Sequence, residues 1–228
     1  MRNNGFAFFG IFSQIAAGFP DNGLVLITTG NTADLYAGDT VICDVMERFY
    51  HHLLPNLSDL PLPEDSAALD ELLALSAMPQ MTAPGASSSP TEGRVSGHTY
   101  ALYPNKSGWL NARFEFSGYS EKGDTGKLVY TNRRGAYEID FGMGYNIPFI
   151  FSDFNRLYGS ERTECEAHGS AAWIDNRTLA LYLYFTEEEE SYLRLNAVFD
   201  GNRLTILIKQ GEGNMRQYGG YMYGYWAK

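Results

Sequence analysis

The stretch Y192-L-R-L-N-A-V-F-D-G-N-R-L-T-I-L-I-K209, read together with T178-L-A-L-Y-L-Y-F185, decides the fold. Leu179, Leu181, Leu183 and Phe185 alternate with Ala180, Tyr182 and Tyr184. That period of two marks a strand with one face turned to a core. Leu193, Leu195, Ala197 and Phe199 repeat the inward set. Between V198-F199 and R203-L204 stands an Asp-Gly pair, the sharpest tight-hairpin signal in the chain. D175-N176-R177 and R133-R134-G135 punctuate the sequence in the same way. Working outward, strands are expected at His98–Tyr103, Trp109–Phe116, Lys127–Asn132, Ala136–Phe141, Glu164–Ile174, Thr178–Phe185, Tyr192–Asp200, Arg203–Lys209 and Gln217–Trp226. Eight or nine short antiparallel strands joined by hairpins favour a barrel over a sandwich, so residues 97–228 are assigned to an antiparallel barrel-like domain.

The front of the chain is different. In G5-F-A-F-F-G-I-F-S-Q-I-A-A-G-F19, Phe6, Phe8, Gly10 and Phe12 alternate with Ala7, Phe9, Ile11 and Ile15, and both sets are apolar. A strand apolar on both faces belongs inside a sheet covered on both sides. P20-D-N-G23 is a turn, and Leu24–Thr29 is its partner strand. Asp39 or Thr40 is placed to cap a helix whose stripe is Val41, Ile42, Val45, Phe49, His52 and Leu53, stopped by Pro55. Two strands and one helix cannot bury both apolar faces. Residues 58–96 hold a second helix at Ser66–Ala77, with Leu69, Leu72 and Leu73 on one face, and then T82-A-P-G-A-S-S-S-P-T-E-G93, a flexible linker by composition. The fold class is thus mainly β: a strand-turn-strand-helix segment over 1–57, a helix and linker over 58–96, and the barrel.

Composition narrows the functions. A formal net charge of −10, with no basic stripe, argues against nucleic acid. No run of about 18 apolar residues exists, so no membrane-spanning helix is expected. Cys43 and Cys165 make no disulfide framework. M1-R-N-N followed by F6–F12 and A16-A17-G18 imitates a short signal peptide, but Ser13 and Gln14 interrupt it and only Arg2 supplies positive charge. A cytoplasmic location is therefore favoured, with secretion the alternative if residues 1–18 are a leader.

G10-I-F-S-Q14, Pro20, L24-V-L-I-T-T-G30 and the helix end H52-L-L-P55 resemble the end of the hydrolase domain in the serine β-lactamase and penicillin-binding-protein-like family. The resemblance spans residues 5–57 and extends loosely over 97–228, where G169-S-A-A-W-I-D-N-R-T-L179 is similar to the C-terminal extension of some members. It implies that residues 1–57 are the C-terminal fragment of an α/β serine-hydrolase domain. It also implies that Gly10, Ser13 and Gln14 lie on a strand lining the substrate cleft. Two departures matter. Phe12 and Ser13 stand where the family carries glycines, which keeps a substrate further from the backbone. No serine in the chain has lysine three positions later, so the family's Ser-x-x-Lys nucleophile is missing. Y103-P-N105 and Y130-T-N132 match its Tyr-x-Asn pattern only as a three-residue pattern must in a Tyr-rich chain.

Other constellations are weak. C165-E-A-H168 lacks a second ligand pair for zinc, and Glu187–Glu190 lacks a calcium loop's alternating ligands, so no metal or cofactor is expected. G123-D-T-G-K127 reads as a turn, and His51-His52 as straddling the helix stripe with one half-buried. Acids at alternate positions, Glu138 with Asp140 and Glu164 with Glu166, read as a solvent-facing stripe. Q217-Y-G-G-Y-M-Y-G-Y-W226 closes the barrel, and Tyr221, Tyr223, Tyr225 and Trp226 offer an aromatic ligand surface. Two functions follow. One is the C-terminal portion of a serine hydrolase, inactive alone, whose partner is the missing N-terminal half or a second copy through residues 6–57. The other is a small-ligand-binding or regulatory barrel of lipocalin-like kind.

Overall fold

The computed structural model of the protein describes residues 4–10, 13–30, 38–58, 60–61, 63–77, 81–120, 123–155, 161–186, 192–211 and 217–227. They form two compact units, Met1–Leu75 and Ser76–Lys228.

The first unit is a three-stranded antiparallel sheet in the order β1 (Phe6–Gly10), β2 (Gln14–Phe19), β3 (Leu24–Thr28). Residues 6–19 are therefore a hairpin, and not the single two-sided strand expected from the sequence. Ser13 turns the chain at φ +71°, a left-handed conformation uncommon outside glycine. The Pro20–Asn22 turn ends on Gly23 at φ +60°, as the P20-D-N-G23 signal requires.

Helix α1 (Gly38–Arg48) continues into a π-turn at Phe49–Leu53 and a 3₁₀ turn at Leu54–Asn56. Asp39 and Thr40 lie within α1, so neither is its cap. The buried side of the helix also differs from the expected stripe. Ile15, Ala17 and Phe19 pack on Met46 and Phe49, with Ile42, Val45, Tyr50 and Leu54 around them. The rings of Phe19 and Phe49 stack with centroids 4.7 Å apart. The π-turn adds a residue to one turn and so rotates the following side chains. His51, His52 and Leu53 face solvent while Tyr50 and Leu54 face the sheet. Helix α2 (Ser66–Ala77) has the expected bounds, and Leu69, Leu72 and Leu73 are exposed on it.

The second unit begins with the segment that composition reads as a flexible linker. It is tied down at several points. Ala86 exchanges both backbone hydrogen bonds with Trp173, and Ala83 N–H donates to Ser170 Oγ at 3.0 Å. The hydroxyls of Ser89 and Thr91 donate to the carbonyl of Asn176. In S89-P-T-E92 the Glu92 carboxylate accepts the Ser89 N–H and also the Trp173 indole N–H, at 2.6 Å, which ties the segment to β9. Helix α3 (Glu92–Val95) then sends Val95 into the core.

The strands are β4 (Thr99–Leu102), β5 (Asn111–Ser120), β6 (Gly123–Asn132), β7 (Gly135–Met143), β8 (Ile147–Phe151), β9 (Cys165–Trp173), β10 (Thr178–Phe185), β11 (Tyr192–Asp200), β12 (Arg203–Gly211) and β13 (Gln217–Trp226). Nine of them close into a barrel in the circular order β4-β5-β6-β7-β9-β10-β11-β12-β13, with β13 back on β4. The expected all-antiparallel barrel is in fact mixed, because β7 meets β9 in parallel through Gly142↔Ser170 and Met143↔Ala171. Strand β8 was absent from the sequence reading. Pro148 argues against a strand, and it is tolerated because β8 pairs only with β9 and so lies at an edge. G123-D-T-G-K127 is the start of β6 rather than a turn.

The inward set expected from periodicity is buried throughout, from Leu179 to Phe185 and from Leu193 to Phe199. With Phe114, Leu128, Tyr130, Ile139, Phe141, Leu204 and Ile206 it makes one continuous core. The barrel interior is thus filled by side chains, as in small barrels generally. On the outer face of β9 and β10, Ala172 and Ala180 are buried beneath Ala83.

Two outcomes follow. Gly169 sits where β8 and β7 both crowd β9, and a Cβ there would collide with the carbonyl oxygen of Asp140. Gly169→Val should lower stability by about 1–3 kcal/mol in a denaturant melt, whereas the same change at Gly135, which has open space, should cost far less. The Asp175 carboxyl caps the β9–β10 turn, accepting the N–H groups of Arg177 and Thr178 and the Thr178 hydroxyl. The Arg177 N–H bond, first among these, holds its pKa below the ordinary 3.8. Such a group adds stability above its unfolded pKa and loses it as pH falls through the lower folded one. The melting-temperature gap between the native chain and Asp175→Asn should therefore be constant at neutral pH and shrink below about pH 4.

Candidate functional site

Gly10, Ser13 and Gln14 do come together. Gly10 and Gln14 are opposite each other across β1 and β2, with Ser13 in the turn between. Ser13 is buried, and the Gln14 side-chain amide donates to the Gly30 carbonyl at 2.8 Å, tying the start of β2 to the end of β3. Thr28 Oγ1, on β3 opposite Ile15, is buried with no hydrogen-bond partner among the described residues. Phe12 lies outside the described residues. The cluster is a small polar end of an otherwise apolar sheet.

One face of that sheet packs on α1. The other carries Phe6 and Phe8 from β1, Ala16 and Gly18 from β2, and Val25 and Ile27 from β3, all in register. Phe6 lies over Gly18, where a Cβ would strike its ring. Phe8 is 71% exposed and Ile27 70%. A contiguous apolar face of this kind marks a surface that something else covers.

On the barrel, period two divides the expected aromatic surface. Tyr221, Tyr223 and Tyr225 point outward from β13, while Met222 and Gly224 between them are buried. Trp226 has the inward parity. It stacks on His98 with centroids 4.3 Å apart and lies tilted beside Tyr100, whose hydroxyl pKa burial pushes up. Trp226 nevertheless stays 37% exposed, close to the 38% of Tyr225, and Tyr103, just past the end of β4, joins the outward tyrosines. The Tyr103 ring centroid is 4.9 Å from that of Tyr223 and 6.1 Å from that of Tyr225.

Tyr103, Tyr221 and Tyr223 line a groove of about 670 Å³ beside the loop Pro104–Leu110. A second groove, of about 630 Å³, lies on the other flank of that loop, walled by Lys106, Trp109, Asn132, Arg133 and Arg134. Both have ligand-sized volumes. Asn105 makes the loop rigid: its amide donates to the carbonyls of Tyr103 and Trp109, and its Oδ1 accepts the Trp109 N–H. Trp109 stacks on Tyr130 at 3.9 Å, and the Tyr130 hydroxyl donates to the buried Asp153 carboxylate at 2.8 Å. Asn105 and Asn132, the asparagines of the two Tyr-x-Asn matches, thus have evident structural partners. The sequence reading missed the second groove, because R133-R134 registered only as a turn.

The remaining candidates are occupied or isolated. Lys127 pairs with Glu138 and Asp140, and the Glu138 bond raises its pKa. Cys43 is exposed and Cys165 buried, and neither is in a disulfide among the described residues. No metal-binding group of His, Cys, Asp or Glu occurs among the described residues, and Glu187–Glu190 falls outside them. No described helix is long and apolar enough to cross a membrane. The chain matches no family model and no curated protein sequence.

The bare face of β1–β3 should make the chain self-associate and bind an apolar fluorescent dye. Burying a Phe or Ile contributes about 1.5–3 kcal/mol each, so Phe8→Asp with Ile27→Asp should weaken self-association at least tenfold in light scattering. A native chain that is monomeric and dye-silent would show that the face is covered.

Proposed function

We propose that residues 5–57 are closing elements of a serine-hydrolase domain of the β-lactamase and penicillin-binding-protein-like kind, and that the barrel is its accessory domain. The observation that carries this reading is the sheet itself: α1 on one face, and Phe6, Phe8, Val25 and Ile27 bare on the other. A sheet apolar on both sides is built for cover on both sides. In the assembled domain, Gly10, Ser13 and Gln14 line the substrate side of the cleft. The nucleophilic serine and its lysine base come from residues outside this sequence, since the Ser-x-x-Lys pattern is missing. This chain contributes strand edges and shape, and no proton transfer.

A second reading is favoured by the filled interior together with the tyrosine groove. The barrel is a recognition module that binds small ligands on its outside, at the loop Pro104–Leu110.

The first reading expects that the chain alone takes up neither a fluorophosphonate nor a fluorescent penicillin, and that esterase activity emerges when the upstream half of such a hydrolase is added. Covalent labelling of any serine of this chain on its own would refute it, as would a full hydrolase domain that gains nothing from residues 5–57.

A further inference from the structure

We infer that the two grooves flanking the loop Pro104–Leu110 form one extended site for an acidic saccharide: a sugar chain whose carboxylate or phosphate sits in the second groove while its ring faces lie on the tyrosines of the first. The inference rests on the reading of the barrel as a module that recognises ligands through its outside.

Charge is the first support. The chain carries 27 acidic against 17 basic side chains, so a cationic groove is against the trend. Lys106 comes from the β4–β5 loop, and Arg133 and Arg134 from the β6–β7 turn. These three wall one groove with no carboxylate among its lining residues. All three are exposed, and none forms an ion pair with a described residue, whereas Arg48, Arg113, Lys127 and Arg177 each do. Cations held together without partners repel one another, and an anion relieves that repulsion. Arginine in particular presents a planar fork that fits carboxylate and phosphate oxygens.

The second support is a buried donor. Trp109, only 1% exposed, is on the wall of the same groove, and its Nε1–H has no acceptor among the described residues. A buried N–H without an acceptor is costly, and a ligand oxygen can satisfy it. Asp153 is the carboxylate that hydrogen-bonds the groove residue Asn132, which donates to it at 3.3 Å. It is buried and is not part of the groove wall.

Geometry identifies the body of the ligand. The grooves share Pro104, Asn105 and Lys106, so one elongated molecule can engage both. The first groove offers Tyr221 and Tyr223, whose ring planes are within 21° of each other and whose centroids are 6.4 Å apart, with Tyr103 alongside. Tyrosine combines an apolar face with a hydroxyl that hydrogen-bonds. Repeated flat rings edged with hydroxyls, as in a saccharide, match that surface. A nucleotide could stack its base on the same tyrosines, and the titration below separates it from a saccharide.

The test is calorimetric titration of the full chain with tetragalacturonate, glucose 1-phosphate, cellotetraose and adenosine monophosphate, at low and high salt. Tetragalacturonate should bind, cellotetraose at least about tenfold more weakly, and affinity should fall as salt rises from about 0.05 to about 0.5 M. Glucose 1-phosphate binding more tightly than galacturonate would assign the anion as phosphate, still within the inference. Lys106→Ala with Arg133→Ala should abolish most of the preference for the charged ligand, and Tyr223→Ala should weaken charged and neutral saccharides alike. The melting temperature should hold in both variants, because these side chains are exposed. Equal binding of cellotetraose and tetragalacturonate would overturn the inference but leave recognition on the outside of the barrel intact. Tighter binding of the nucleotide than of either sugar would also overturn it. Binding of none of the four would overturn both.

Discussion

Closure of the barrel hangs on three short joins. Most neighbouring strands pair over most of their length, but β4 meets β13 and β5 through three residue pairs each, and β7 meets β9 through two. An open sheet of this size would leave hydrogen-bonding edges exposed. What holds the joins is the filling of the interior. Phe114, Phe141, Phe199 and Trp173 pack across it, and Ser170, wholly buried at the parallel join, accepts the N–H of Ala83 from the segment lying over it. Small residues at Gly142, Gly169 and Ala171 let the backbones approach where β7, β8 and β9 converge.

A filled interior has a functional consequence. A barrel whose core is aromatic and aliphatic side chains leaves its loops and outer strand faces as the surface for the recognition proposed above. There the Asn105 hydrogen bonds fix a loop between two grooves, one aromatic and one cationic. The same economy does not operate in residues 5–57. Three strands and one helix satisfy a single face, and the opposite face remains apolar and bare. The barrel buries its apolar faces in one core, whereas the small sheet leaves one apolar face exposed.

How much of this was legible in the residues depends on the range of the interaction responsible. Local alternation and the Asp-Gly turn placed β10, β11 and β12 almost to the residue, because side-chain period and turn chemistry are nearest-neighbour properties. Helix α2 was legible for the same reason. Strand β8 was not, because its Pro148 is acceptable only at an edge, and edge position is not a local property. The π-turn that moves His52 and Leu53 to solvent was equally hidden, since it becomes favourable only once Tyr50 and Leu54 have a sheet to pack on. T82–G93 looked like a linker because small polar residues are also what a tight strap over alanines requires.

The candidate sites divide along the same line. Sequence alone determined that no Ser-x-x-Lys nucleophile is present, that both faces of the front strands are apolar, and that the last strand alternates tyrosines with Met222 and Gly224. Each of these is a statement about residues close in the chain. The hairpin turn that sets Gly10 opposite Gln14 came only with the structure. Tertiary structure decided that the barrel closes through a parallel contact, that its interior is full, that Trp226 stacks on His98, and that Lys106, Trp109, Arg133 and Arg134 wall a common groove. Those residues come from two different strand connections, and only the pairing of β5 with β6 brings the connections together.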